Sequence, residues 1–170
     1  DDNKVAWHAG KSKWRNIQNL NEYSIGIEIQ NKGHFIKYQN FTKKQIISLI
    51  QLIKILKKKY KINNENILGH SDIAPLRKKD PGEKFPWEFL SKNKIGFWHK
   101  LSKFNCKKFR GMKFQNKDLF FKLLYKYGYM QTKIQNKRNK LVKNFQRRFR
   151  PNLINGIVDK ECYEILKSLL

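Results

Sequence analysis

The chain is short of acid. Against 38 lysines and arginines it has 13 aspartates and glutamates, which leaves a formal net charge of +25 over 170 residues. It has only two cysteines, which excludes a disulfide-dense scaffold and a cysteine-rich zinc finger. Its apolar runs are a few residues long, far below the roughly 20 residues that a membrane-spanning helix needs. It is also short of arginine, which supplies seven of the basic residues against 31 lysines. High charge is the footprint of a nucleic-acid binder, yet base readout and bidentate phosphate clamps favour arginine. The lysine excess therefore reads as a bias spread over a surface. Residues 91–170 carry 21 basic and four acidic groups, against 17 and nine in residues 1–90, so the second part is the more polyanion-facing one. Apolar residues at 39% and aromatics at 14% exclude a disordered basic tail. The length allows one or two domains with a buried core. The opening Asp1-Asp2-Asn3, with no Met or signal peptide, marks a processed end or a truncated fragment.

Residues 4–20 read as irregular. From 23 to 30, Ile25, Ile27 and Ile29 alternate with Ser24, Gly26, Glu28 and Gln30, which predicts a strand with one dry and one polar face. Residues 42–60 read as a helix. Thr42 and Gln45 have capping-box spacing, Ile46, Leu49, Ile50, Ile53 and Leu56 form its stripe, and Lys57, Lys58 and Lys59 suit its last turn. Residues 66–70 suggest a short buried strand. Pro75, Pro81, Gly82 and Pro86 make 71–87 an ordered loop, the kind of segment in which function concentrates. Residues 91–113 read as a linker. Three amphipathic helices follow, through Leu119–Tyr127, Leu141–Phe149 and Cys162–Leu170. Together they make a bundle near the lower limit for independent folding.

Four places could carry chemistry. His70 and Asp80 supply an imidazole and a carboxylate, both zinc donors, or else a core histidine and an Asp-Pro turn. Glu28, an acid among isoleucines, suits proton transfer, or is a solvent-facing strand carboxylate. Lys78 can stabilise an oxyanion, or is one more surface lysine. Trp7 and His8, ahead of Gly10, can line a pocket, or pack beside a turn. His34 and His99 have no evident partner and read as surface residues.

Taken together, these places spell a pattern. The strings AWHAGKSKW (6–14), NEYSIGIEIQN (21–31) and GHSDIAPLRKKDPGEKFPW (69–87) resemble those of the zinc-dependent N-acetylmuramoyl-L-alanine amidases, the type-2 amidases related to peptidoglycan-recognition proteins. LLYKYGY (123–129) and NFQRRFRPNLINGIVD (144–159) resemble the helical peptidoglycan-binding domain of two-domain members. The resemblance implies that His70 and Asp80 are two of three ligands of a Zn²⁺ cofactor. It implies that Glu28 is the catalytic glutamate and Lys78 the lysine that supports the transition state. Trp7, His8 and Arg77 fall at substrate-groove positions. The family's first zinc ligand lies well upstream of AWHAG, and only five residues precede that string here, none of them histidine. The resemblance thus implies an N-terminally truncated fragment.

The expected fold is α/β. A mixed sheet flanked by helices, incomplete at its N-terminus, should occupy residues 1–92 as the amidase catalytic domain. Helix 42–60 should pack on the isoleucine face, with Glu28, His70 and Asp80 converging on the other. Residues 93–170 should hold a linker and the small three-helix, peptidoglycan-binding-like domain. The expected partner is peptidoglycan or a muropeptide, in the cell envelope or in cytoplasmic muropeptide recycling, with no specific nucleic acid. Cys106 and Cys162 could pair only if their backbones approach closely. A non-catalytic glycopeptide-binding module and a nucleic-acid binder are the alternatives. The latter would bind DNA or RNA tightly with a steep salt dependence. The expected outcome of a DNA titration across salt is weak binding with no site preference. Tight binding to one sequence at physiological salt would reverse the order of these readings.

Overall fold

The structure, a computed structural model, describes residues 4–170. The acidic opening Asp1-Asp2-Asn3 lies outside the described residues. A short hairpin comes first, β1 (Lys13–Trp14) and β2 (Ile17–Gln18), antiparallel with Trp14 opposite Ile17. Eight helices follow. They are α1 (Gly33–Ile36), α2 (Lys43–Tyr60), α3 (His70–Ile73), α4 (Trp87–Lys92), α5 (Lys103–Phe109), α6 (Lys117–Tyr127), α7 (Gln135–Phe149) and α8 (Lys160–Leu169).

Helix α2 forms for local reasons. The Thr42 hydroxyl accepts from the Gln45 amide at 3.2 Å, and the Gln45 side chain accepts from the Thr42 amide at 2.9 Å. That is the capping box read from the sequence. The buried stripe is Ile46, Leu49, Ile50 and Ile53. It joins Phe85, Trp87, Leu90 and Ile95 in one apolar cluster, with Ile27 and Ile29 packed at its edge. Gln45 Nε2 donates to the Gln30 carbonyl at 2.8 Å, which pins residues 23–30 to the start of α2.

Two expected strands do not form. Residues 23–30 keep their alternation at one end, Ile27 and Ile29 half-buried and Glu28 and Gln30 exposed, but enter no ladder among the described residues. Ile25 is exposed. A strand exists only through a neighbour that takes its backbone bonds, and the described sheet is the β1–β2 hairpin alone. Residues 66–70 form the end of a 3-10 turn, a bare stretch, and the start of α3. The Ile67 carbonyl accepts from Arg148 at 3.1 Å. The Gly69 amide donates to the Asp72 carboxylate at 2.7 Å, which turns the chain into a helix at His70. The expected linker contains α5, which packs on α8.

A second cluster is built from Phe120 and Leu124 of α6, Leu141, Val142, Phe145 and Phe149 of α7, and Cys162, Ile165 and Leu166 of α8. It also takes in Ala9, Trp14 and Leu20 from the start of the chain. Trp14 stands edge-on to Tyr127 and Tyr129, with ring centroids 5.8 and 5.3 Å away. Gly128, at φ 145°, lies beneath it, and a Cβ there would come within 2.6 Å of the indole. Cys106 and Cys162 are both free thiols, and burial pushes Cys162 up to about 12.

The clusters meet at a buried ion pair. Arg148 of α7, 3% exposed, donates to Asp72 of α3, 1% exposed. Tyr129 also donates to Asp72, and the Arg148 guanidinium lies 4.2 Å from the Trp87 ring centroid. Removing one partner of such a pair strands the other charge in a dry interior. Arg148→Met is expected to cost about 3–5 kcal/mol and Thr42→Ala about 1 kcal/mol, both measured by urea denaturation. Equal costs would contradict this ranking.

Candidate functional site

The candidate site is built around one carbonyl. The Asn21 side-chain oxygen accepts from three successive backbone amides, those of His8, Ala9 and Gly10, at 3.1, 2.7 and 3.2 Å. The Ala9 carbonyl held in this turn is approached by His70 Nε2 at 3.2 Å and accepts from Arg77 Nη2. Arg77 Nε also donates to the Lys11 carbonyl at 3.2 Å. His70 Nδ1 then stands 3.0 Å from Asp80 Oδ2. The Asp80 carbonyl accepts from the Ser71 amide at 2.8 Å, so backbone and side chain both tie residue 80 to α3.

Burial alone pushes the Asp80 carboxyl up. The His70 ring, its own backbone amide and the Lys78 charge together hold it below the ordinary aspartate value. The carboxylate is thus kept ionised beside an imidazole. The contact of Nε2 with the Ala9 carbonyl orients the ring so that Nδ1 faces the Asp80 carboxylate. This pair, imidazole nitrogen and carboxylate oxygen, is a donor set that suits zinc. It is two donors. No group of three or more His, Cys, Asp or Glu able to hold a metal stands together among the described residues, and a catalytic zinc site takes three.

The other sequence candidates differ in how they are held. Arg77 is brought to this pair through Ala9. Lys78 is half-buried, and its carbonyl accepts from Asn144 at 3.2 Å. Glu28 is exposed on the polar side of residues 27–30. Trp7 is 90% exposed. His8 does not turn to His70. Its two ring nitrogens are engaged with the Ala6 carbonyl and the Ser24 hydroxyl, both at 2.8 Å. Its ring lies so close over Gly26 that a Cβ there would come within 2.6 Å of it.

Sequence reasoning missed the residues that brace the loop. Tyr38 Oη donates to the Pro81 carbonyl at 2.6 Å and accepts from the Lys84 amide at 3.0 Å. Burial pushes this phenol up to about 12. Gly82, at φ 83°, sits against the same hydroxyl, where a Cβ would come within 2.5 Å. His34, exposed as expected, has a partner after all in Glu83, 3.1 Å away, and it stacks on Tyr38. His99 departs from expectation. It is half-buried, with Nδ1 out of contact with water, and burial lowers its pKa. The one local signal was composition, since a short stretch with three prolines needs outside bonds to hold its shape. Asn21, Asp72 and Asn144 gave no sign because their partners lie far along the chain or on its backbone.

The amidase family described as Amidase_2, N-acetylmuramoyl-L-alanine amidase, matches residues 1–83. The chain is 38% identical over 178 aligned residues to the N-acetylmuramoyl-L-alanine amidase AmiD of Escherichia coli, covering 99% of this chain and 64% of that protein. It is 43% identical over 87 residues to the 1,6-anhydro-N-acetylmuramyl-L-alanine amidase AmpD of Haemophilus influenzae, covering 51% of this chain and 45% of that one. The chain therefore spans less than two thirds of either relative. Among solved structures, it is similar to E. coli AmiD in complex with the substrate anhydro-N-acetylmuramic acid-L-Ala-D-γ-Glu-L-Lys. The TM-score is 0.88 at 35% identity, over 99% of this chain and 69% of that one. Pseudomonas aeruginosa AmpDh3 gives a TM-score of 0.86 at 33% identity, over 99% and 70%. The α/β class read from the sequence is that of these amidases.

A pH prediction follows from Glu83. Burial pushes its carboxyl up, but the His34 bond, its own backbone amide and the His34 and Arg147 charges hold it below the ordinary glutamate value. A group depressed in the folded state adds stability above its unfolded pKa and loses it as pH falls through the folded one. Between those two values the wild type is expected to lose more stability on acidification than Glu83→Gln, as read by denaturant midpoints. Parallel pH profiles would contradict the assignment.

Proposed function

The chain belongs to the N-acetylmuramoyl-L-alanine amidase family, and on that premise we propose that it hydrolyses the amide between N-acetylmuramic acid and L-alanine in peptidoglycan or its fragments. The single observation that carries this reading is the approach of His70 Nδ1 to Asp80 Oδ2, with Nε2 at the Ala9 carbonyl. His70 and Asp80 would hold zinc, the metal on which enzymes of this family generally depend. Residues 1–92 would be the catalytic part, and 93–170 a linker with a wall-binding helical part. The place of action would be the cell envelope. No helix among the described residues is long and apolar enough to cross a membrane.

Each residue then has a task. Zinc in such a site supplies Lewis acidity, which brings the pKa of water near neutrality. Glu28 takes the proton of the attacking water and delivers it to the leaving L-alanine amine. The Lys78 ammonium offsets the charge that develops on the carbonyl oxygen. His70 is oriented by its contact with the Ala9 carbonyl, and Arg77 steadies that carbonyl. Trp7, exposed, offers a flat face to the sugar or stem peptide, beside His8. The sugar and the peptide separate.

A second reading, non-catalytic glycopeptide binding, draws on the two-donor set. One assay separates the two. With anhydro-N-acetylmuramic acid-L-Ala-D-γ-Glu-L-Lys as probe, release of the stem peptide is expected from the wild type. Glu28→Ala is expected to lose release by about 10²–10⁴-fold while metal analysis finds the same zinc content. Binding of the probe without release by the wild type would favour the second reading. Undiminished release by Glu28→Ala would remove Glu28 from its role.

A further inference from the structure

Helix α7 has two committed faces. Leu141, Val142, Phe145 and Phe149 lie in the core of the helical part. Lys140, Asn144, Arg147 and Arg148 share another face, at the spacing i, i+4, i+7 and i+8. All four reach the segment that carries the candidate site. Lys140 Nζ donates to the Leu76 carbonyl at 3.4 Å. Asn144 Nδ2 donates to the carbonyls of Pro75 and Lys78, at 2.7 and 3.2 Å. Arg147 Nε lies 3.7 Å from Glu83 Oε2. Arg148 holds Asp72 and the Ile67 carbonyl.

Resting on the reading of His70, Lys78 and Asp80 as the site, we propose that this face of α7, with Asn144 at its centre, is the positioning element that sets Lys78 and Asp80 relative to His70. Asn144 is 2% exposed. A buried carboxamide is unfavourable unless its donors and acceptor are used, and here the loop and Arg147 use them. Arg147 Nη1 donates to Asn144 Oδ1 at 2.7 Å, which fixes the amide so that its NH₂ points at the loop. That one planar group holds two carbonyls three residues apart, on either side of Arg77. Within the loop, the Arg77 and Lys78 amides bond the Ala74 carbonyl at 3.1 and 3.0 Å, and the Ser71 amide bonds the Asp80 carbonyl at 2.8 Å, so Asn144 adds the tie from outside at Pro75 and Lys78. Asn144 touches no reacting atom and acts through the backbone that carries Lys78 and Asp80.

The test uses the full chain with Asn144→Asp, which keeps the shape and the acceptor for Arg147 but removes both donors. Asn144→Ala is a second variant that introduces no charge. Amide hydrogen exchange followed by NMR is expected to quicken at least tenfold for Ser71, Arg77 and Lys78 in either variant. The amides of Leu124 in α6 and Leu166 in α8 are expected to keep their wild-type rates. On the same muropeptide probe, kcat is expected to fall about tenfold or more with KM little changed. Wild-type exchange at the three loop amides would overturn the proposal, and so would an equal rise in α6 and α8. If the wild type releases no stem peptide, the amidase reading falls, while the exchange pattern still decides the positioning role.

Discussion

The Asp72–Arg148 pair is the constraint on which the rest of the structure depends. Both groups are nearly free of water, and charges in such a place persist when they are paired and hydrogen-bonded, although Arg148 Nε has no partner among the described residues. Asp72 accepts from the Gly69 amide, Tyr129 and Arg148. Arg148 spends its other terminal nitrogen on the Ile67 carbonyl and lies over Trp87 and Phe149. Trp87 belongs to one apolar cluster and Phe149 to the other. One carboxylate, two residues after His70, therefore closes the seam between the clusters and turns the backbone into α3 at His70. The site histidine is placed by a bond that it does not itself make.

The positive charge takes on a different meaning in three dimensions. Six of the seven arginines are paired with carboxylates, and Arg77 bonds the carbonyls of Ala9 and Lys11. Arginine thus fastens one part of the chain to another, in the interior at Arg148 and Arg150 and on the surface at Arg15, consistent with its forked geometry. Most of the exposed cations are lysines, hydrated point charges suited to loose attraction to an anionic surface rather than to bidentate clamps.

What was legible in the sequence was what is decided locally. Helix 42–60 was, because Thr42, Gln45 and the isoleucine stripe settle it within one segment. The pairing of His70 with Asp80 was, through the longer string GHSDIAPLRKKDPG, whose resemblance to the family joins the two residues. The strands were not, because alternation at 23–30 says which face is dry but not whether a neighbour exists to bond. Residues 66–70 were misread for a related reason. Their apolar content suggested a buried strand, but Ile67 is claimed by Arg148, 81 positions away. Asn21, Tyr38 and Asn144 were invisible because an asparagine or tyrosine gives no periodic signal, and each works by bonding backbone in a distant segment.

Because α7 is buried on two sides, its register has no freedom. An inserted residue rotates everything after it by about 100°. Phe145 and Phe149 would leave the core in the same step that takes Asn144, Arg147 and Arg148 off the loop. Mutational drift along this helix is therefore confined to substitution, with insertions and deletions displaced to the connections at either end. A helical part grafted from another protein would have to bring a matching polar face as well as a matching core.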